Sequence, residues 1–107
     1  MSDYFLIQSR DPFEGRRAAS CFELAVDLAR NGSDVVVYLV ENGVLPARAG
    51  ADGALQPLRD AGITLLADDF SLRERGIDVQ RIAAGVEPSP ISSVIDALAA
   101  GAKTIWH

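Results

Sequence analysis

The residue of this chain with the most distinctive chemistry is its single cysteine, Cys21. A cysteine thiolate can accept a sulfur atom as a persulfide when it is accessible and is stabilised by a helix N-terminus or by nearby cations. Arg16 and Arg17 lie within about two helical turns of Cys21. Ala18 and Ala25 share its helical stripe, however, and a free cysteine on an apolar stripe is typical of a buried core. Spacing alone favours the inert core residue, and the sulfur carrier is the alternative hypothesis.

A second group of residues could bind an anion. Arg10, Arg16 and Arg17 lie where the first predicted strand meets the first predicted helix, whose free N–H groups would assist. No glycine-rich phosphate loop accompanies them, so ordinary surface arginines are the alternative interpretation. Ligands of parallel sheets bind beyond the carboxyl ends of the strands, which adds further residues to this candidate crevice. Its full set is Ser9, Arg10, Arg16, Arg17, Asn42, Gly43 and Asp68.

Two adjacent carboxylates, Asp68 and Asp69, follow the third predicted strand. Adjacent residues of an extended segment point to opposite faces, so the pair does not form a shared acid/base or metal site. We predict instead that they cap the helix that begins near Ser71 and interact with its positive end. The charged residues 73–75 of that helix are predicted to form a solvated face.

The elements that must position these residues are short apolar runs alternating with segments of helical period. Continuous rather than alternating hydrophobicity indicates strands covered on both faces, as in a parallel sheet. The predicted strands are residues 4–7, 35–40, 63–66 and 104–106, with a further short strand near 82–86. The first helix ends at Asn31-Gly32 and starts either at an Asp11 cap with Pro12 in its first turn or, after Gly15, nearer Arg16.

The remaining segments complete an α/β pattern. Residues 41–53, rich in glycine, are predicted to form a long loop, and helices are predicted over residues 54–61, 71–75 and 92–100. Repeated strand–helix–strand units imply right-handed crossovers. We therefore predict one domain over residues 1–107, a three-layer α/β/α sandwich with a mainly parallel sheet of four or five strands.

Composition excludes several function classes. The chain has 107 residues, a net charge of −5, one cysteine and one histidine. The charge has the wrong sign for non-specific nucleic-acid binding, and one cysteine with one histidine cannot form a structural zinc site or an internal disulfide. We expect no metal and no cofactor. Neither a secretory signal nor a membrane span is recognisable, so a cytoplasmic protein without membrane partners is expected.

Three segments, in order along the chain, resemble the DsrE/DsrF/DsrH family of small sulfur-relay proteins. They are Arg17-Ala18-Ala19 in the first helix, Glu41-Asn42-Gly43-Val44 after the second strand and Leu72-Arg73-Glu74-Arg75-Gly76-Ile77 after the third. Local features are most similar to the DsrH/TusB branch, with a Ser-Pro-Phe stretch, a Ser-Cys pair in the first helix and a tryptophan in the last strand. Here these read Asp11-Pro12-Phe13-Glu14, Ser20-Cys21 and Trp106.

Two departures from the family pattern matter. The DsrE/TusD branch carries its sulfur-bearing cysteine just after the third strand, where this chain has Ala67-Asp68-Asp69. The first helix is longer than in a typical DsrH-like chain and is closer to the DsrE pattern. The branch therefore stays open, and so does the role of Cys21.

The resemblance implies a cytoplasmic sulfur-relay subunit, and three hypotheses follow. Cys21 carries sulfane sulfur between a donor and an acceptor protein; or the chain is a non-catalytic structural subunit; or it is a small anion- or nucleotide-binding module. The resemblance also implies a trimer or hexamer, formed with related subunits or with copies of itself. Trp106 is then an interface residue, and its alternative role is to close the end of its own sheet.

Overall fold

Five parallel strands form one twisted sheet in the order β4-β3-β2-β1-β5. The structure is a computed structural model that describes residues 3–14 and 16–107, without the side chains of Arg17 and Ala18. Within these ranges the strands are β1 (Tyr4–Gln8), β2 (Val35–Leu39), β3 (Thr64–Asp68), β4 (Val86–Ser89) and β5 (Lys103–Trp106). The predicted parallel α/β sandwich is confirmed.

Four α-helices of the described residues connect the strands and cover both faces of the sheet. They are α1 (Arg16–Arg30), α2 (Gln56–Asp60), α3 (Asp69–Glu74) and α4 (Ser92–Ala99). The first three crossovers step in one direction from β1 to β4, whereas the crossover through α4 returns to the other edge. Because such crossovers are right-handed, α1 to α3 lie on one face and α4 lies on the other.

Two apolar clusters follow from this division. Side chains alternate along a strand, so Leu6 and Val37 face α1, whereas Phe5 and Tyr38 face α4. The rings of Phe5 and Tyr38 stack with centroids 5.8 Å apart. The α1 side contains most of the buried residues, and only Val94 and Ala97 of α4 pack on the other side. The second face of the sheet is therefore thinly covered.

The structure distinguishes the two predicted starting points of the first helix. Asp11 accepts a hydrogen bond on Oδ1 from the N–H of Phe13 at 3.0 Å, but the element that it opens is the 3-10 helix Pro12–Glu14. The α-helix begins at Arg16, the later of the two predicted starts, and Gly15 lies outside the described residues. Ala25 and Cys21 then share the buried stripe that their spacing predicts.

The predicted strand at residues 82–86 is wrong in position, because β4 begins where that prediction ends. Ile82 instead forms an isolated antiparallel bridge with Arg48, and the N–H of Ala83 donates to Ala47 O at 2.7 Å. β4 pairs with β3 and lies at the edge of the sheet. An edge strand tolerates polar residues and a proline such as Pro88, and these residue types are not typical of a strand in the sequence.

The segment after β2 is more regular than the predicted loop. Residues Glu41–Ala47 form a 3-10 helix, and a second one, Gly53–Leu55, leads into α2 and occupies the start of the helix predicted at 54–61. A further 3-10 helix, Val79–Arg81, precedes the bridge at Ile82. The segment therefore turns back against the rest of the fold through local hydrogen bonds.

Candidate functional site

Cys21 lies on the buried side of α1, in the core, and has no exposed surface. Phe22 and Ala25 of the same helix belong to the same apolar cluster. Burial raises the pKa of the Cys21 thiol to about 11. At neutral pH only about one thiol in ten thousand would be ionised, because each pH unit below the pKa reduces the thiolate fraction tenfold. A buried thiol with a raised pKa is typical of structural cysteines.

Asp68 caps α3, as its position after the third strand predicts. Its Oδ2 accepts hydrogen bonds from the N–H of Ser71 at 3.0 Å and from Ser71 Oγ at 2.7 Å. Its Oδ1 accepts the hydroxyl hydrogen of Tyr38 at 2.9 Å. Burial and the Asp68 carboxylate both raise the pKa of Tyr38. Asp68 is 4% exposed, so its carboxylate lies inside a buried network.

This network joins strands β2, β3 and β4 to α3, α4 and the 3-10 helix Glu41–Ala47 near the carboxyl ends of the strands. Tyr38 of β2 lies 3.3 Å from the backbone oxygen of Ser89 in β4, and Ser89 Oγ forms a short hydrogen bond with Ser93 Oγ of α4. Ser71 Oγ accepts the N–H of Glu41, which has a φ of 54°. Every one of these polar groups has a partner, as buried polar groups require. The arrangement stabilises the junction of β2, β3, β4, α3 and α4.

At the end of β1, Gln8 is completely buried and anchors the chain on both sides. Its Nε2 donates to Arg10 O at 2.8 Å, and its backbone oxygen accepts the N–H of Val40 at 3.0 Å. A Cβ at Gly43 would lie 2.1 Å from that same oxygen. Gly43 is therefore required because the backbone of the 3-10 helix Glu41–Ala47 approaches β1 so closely.

The other residues of the predicted crevice have separate surroundings. The backbone N–H and the hydroxyl of Ser9 both donate to His107 O at 2.9 Å, which ties β1 to the end of β5. Arg10 and Arg16 are exposed, and neither forms a salt bridge within the part of the chain that the structure describes. The side chain of Arg17 lies outside the described residues. The structure brings Gln8 and Gly43 into contact, and the crevice itself stays a prediction.

Arg75, which the sequence places on a solvated face, is half-buried and donates three hydrogen bonds. Its Nε and Nη2 donate to Asn42 Oδ1 at 3.1 and 3.0 Å, and its Nη1 donates to Ser71 O at 3.3 Å. Arg73 of the same segment is exposed, as predicted. The signal for this contact was the helix stop at Gly76, which places Arg75 at the end of α3, opposite the Asn42 that follows β2. Asn42 is therefore a hydrogen-bond partner of Arg75.

An apolar surface lies on the other side of the molecule. Ile91, Ile95 and Leu98 are 51%, 64% and 57% exposed and share one side of α4, because they recur at helical spacing. Trp106 is 61% exposed and pairs in register with Ile7, whose side chain lies on the α4 side of the sheet. We refer to Ile91, Ile95, Leu98 and Trp106 as the α4 surface.

A comparison with models of known protein families identifies the family of this chain. The DsrE/DsrF-like family model matches residues 2–106, nearly the whole chain. The chain belongs to the DsrE/DsrF-like family. That family is linked to sulfur relay, in agreement with the resemblance of segments 17–19, 41–44 and 72–77.

Solved structures support the DsrE-like fold over the full length. YchN of E. coli superposes with a TM-score of 0.88 at 15% sequence identity, with all of both chains covered. MTH1491 of Methanobacterium thermoautotrophicum, a protein of unknown function, superposes with a TM-score of 0.70 at 23% identity over 98% of this chain and 100% of its own. No protein with curated function shows significant sequence similarity to the chain.

The helices of this DsrE/DsrF-like chain differ from membrane-spanning helices. Among those in the described residues, none has both the length and the apolar character that crossing a bilayer requires.

Proposed function

We propose that this DsrE/DsrF-like chain is a structural subunit of a cytoplasmic sulfur-relay assembly, that it forms a homo-oligomer through the α4 surface, and that it carries no sulfur on Cys21. The observation that carries the proposal is the complete burial of the single cysteine. A relay subunit without an accessible thiol contributes through its contacts with other subunits.

The position of Cys21 argues against persulfide transfer. A thiolate must reach the donor sulfur and later present its own sulfur to an acceptor, so both steps need an accessible, ionised group. Burial opposes both requirements, because it shields the sulfur and raises the pKa of the thiol to about 11. The alternative position, at the end of β3, holds Asp68, whose carboxylate caps α3.

The α4 surface supports the oligomer. Exposed apolar groups that lie together on one face are typical of protein–protein contacts, and tryptophan is enriched among the residues that dominate binding energy. The face of the sheet beneath α4 is covered by one helix of eight residues. A second subunit packed there would bury apolar side chains that the chain cannot cover itself, which is a common supplement to stability in small domains.

Persulfide formation on Cys21 is the competing hypothesis, and intact mass spectrometry separates the two. The folded protein is incubated with inorganic polysulfide at neutral pH, beside a sample unfolded in guanidinium chloride. We expect no added sulfur on the folded chain and added sulfur on the unfolded one. A mass increase of one sulfur atom on the folded wild type that Cys21→Ser abolishes would contradict the proposal and support a sulfur carrier.

The oligomer is tested by sedimentation of the wild type beside two variants. Ile95→Asp places a charge on the α4 surface, and Leu24→Asp makes the same change at an exposed leucine on α1. We expect the wild type and Leu24→Asp to sediment as a trimer or hexamer and Ile95→Asp to sediment as a monomer. A monomeric wild type at high micromolar concentration would exclude the proposed homo-oligomer.

A further inference from the structure

Three arginines converge on a cavity that lies away from both Cys21 and the α4 surface. The cavity has a volume of about 380 Å³, and its lining includes Arg48, Arg75 and Arg81 together with one carboxylate, Asp78. The chain has nine arginines, so a third of its guanidinium groups line this one cavity. The net charge of the chain is −5. This part of the surface is therefore positively charged, although the whole molecule is negatively charged.

Arg75 is held in place before any ligand arrives. Its three hydrogen bonds to Asn42 Oδ1 and Ser71 O use three of the five N–H donors of a guanidinium. The remaining donors are on the two terminal nitrogens. Since the side chain is already ordered, binding an anion there costs less conformational entropy than at a free surface arginine.

The other two arginines are positioned by paired backbone segments. The N–H of Ala49 donates to Arg81 O at 2.9 Å, and the neighbouring Arg48 forms the bridge with Ile82. Arg48 Nε donates to Leu45 O at 2.8 Å, which leaves its terminal nitrogens for a ligand. Arg48 and Arg81 are therefore exposed side chains on a backbone that is locally fixed.

The carboxylate in the lining does not neutralise these arginines. Asp78 Oδ1 accepts the N–H of Gln80 at 3.0 Å and so caps the 3-10 helix Val79–Arg81. Within the described ranges, no salt bridge joins Asp78 to Arg48, Arg75 or Arg81. Three guanidinium groups against one carboxylate leave an excess of positive charge inside the cavity.

We propose that this cavity binds a small molecule through a negatively charged oxoanion group, of the phosphoryl or sulfuryl class, with Arg48, Arg75 and Arg81 as its ligands. Guanidinium groups match the geometry of such oxoanions and donate charge-assisted hydrogen bonds to them. The volume lies near the lower end of small-molecule sites, about 300–1,000 Å³. The buried Ile77 in the lining provides apolar contact for the rest of the ligand.

The site is tested by NMR titration of the ¹⁵N-labelled chain with inorganic phosphate and, separately, with sulfate, at constant ionic strength set with chloride. We expect saturable shifts of the Ala49, Gly76 and Ile77 amides with at least one of the two anions. The anion that binds more tightly distinguishes a phosphoryl from a sulfuryl ligand. Shifts that do not saturate, or that chloride alone reproduces, would overturn the proposal.

Matched variants separate the site from general charge attraction. Arg48→Gln and Arg81→Gln remove exposed guanidinium groups of the lining, whereas Arg73→Gln removes an equally charged, exposed group of α3 outside it. We expect each lining variant to weaken binding about fivefold or more and Arg73→Gln to leave it within about twofold, with all three retaining the wild-type pattern of amide signals. Equal weakening by Arg73→Gln would show long-range attraction alone and would contradict a built site.

Discussion

Two roles are compatible with the sequence around Cys21, that of a sulfur carrier and that of a buried core residue. Its position in the helix matches the cysteine of the DsrH branch, and its spacing from Ala25 matches a core stripe. In the structure the apolar stripe faces the sheet, so the thiol is enclosed and its pKa is raised to about 11. The chemistry of a cysteine depends on solvent access and charge, which spacing along one helix does not specify.

The raised pKa predicts how stability depends on pH. The unfolded chain loses the Cys21 proton near its ordinary pKa of 9.0, whereas the folded chain keeps it until about pH 11. The stabilisation is therefore complete below pH 9 and is lost as the pH rises through this interval. We expect the advantage of the wild type over Cys21→Ala to decrease by about 1.4 kcal/mol between pH 7.5 and pH 10.

Urea unfolding at several pH values measures this difference. Tyr38 is present in both proteins, so its own titration cancels in the comparison. A constant difference across the range would mean that Cys21 ionises in the folded chain as it does in the unfolded one. That result would favour an accessible thiol and the sulfur-carrier hypothesis.

At the scale of elements, the contact between the 3-10 helix Glu41–Ala47 and the end of β1 positions the residues after β2. Val40 donates to Gln8 O, and Gly43 approaches the same oxygen. The turn of the chain at Glu41, with its positive φ, brings Asn42 to the outside, where Arg75 binds it. The loop predicted for this segment is thus an ordered element that links β1, β2 and α3.

Gly43→Ala is expected to destabilise the fold by at least about 2 kcal/mol, because backbone atoms would have to move to accept the new methyl group. Gly53→Ala is the matched control, since a Cβ there would meet nothing within 4 Å. Its effect should lie within about 0.5 kcal/mol. Urea unfolding of both variants gives the comparison, and equal effects would show that the helix Glu41–Ala47 can move away from β1 at little cost.

At the scale of the whole molecule, the direction of the crossovers leaves the two faces of the sheet unequal. Three crossovers place α1, α2 and α3 on one face, and the single return crossover places only α4 on the other. Apolar side chains of α4 and Trp106 are consequently exposed in the isolated chain. The exposed apolar surface on this face follows from the topology rather than from any one residue.

If subunits associate through this face, thermal stability must depend on protein concentration. We expect the melting temperature of the wild type to decrease by about 4 °C or more on hundredfold dilution, because association stabilises the folded state by mass action. Ile95→Asp should melt at the same temperature at both concentrations. Differential scanning fluorimetry measures both proteins, and a wild-type melting temperature independent of concentration would contradict association coupled to folding.

The amino-acid sequence by itself determined the local features of this protein. The apolar runs at residues 4–7 and 35–40 predicted buried parallel strands, and Asp68 predicted a helix cap. These predictions succeed because burial on both faces and capping depend on residue type and on neighbours a few positions away. The family followed from short segments in a fixed order, which the match over residues 2–106 confirmed.

The tertiary structure alone decided which distant residues meet. Arg75 and Asn42, which form a hydrogen bond, are 33 positions apart. Arg48 and Arg81 line the same cavity because backbone hydrogen bonds join residues 47–49 to residues 81–83. The edge position of β4 likewise explains a strand that its composition concealed. Such contacts depend on strand order and crossover direction, which no local pattern encodes, so the buried thiol and the arginine-lined cavity emerge only when the chain is folded.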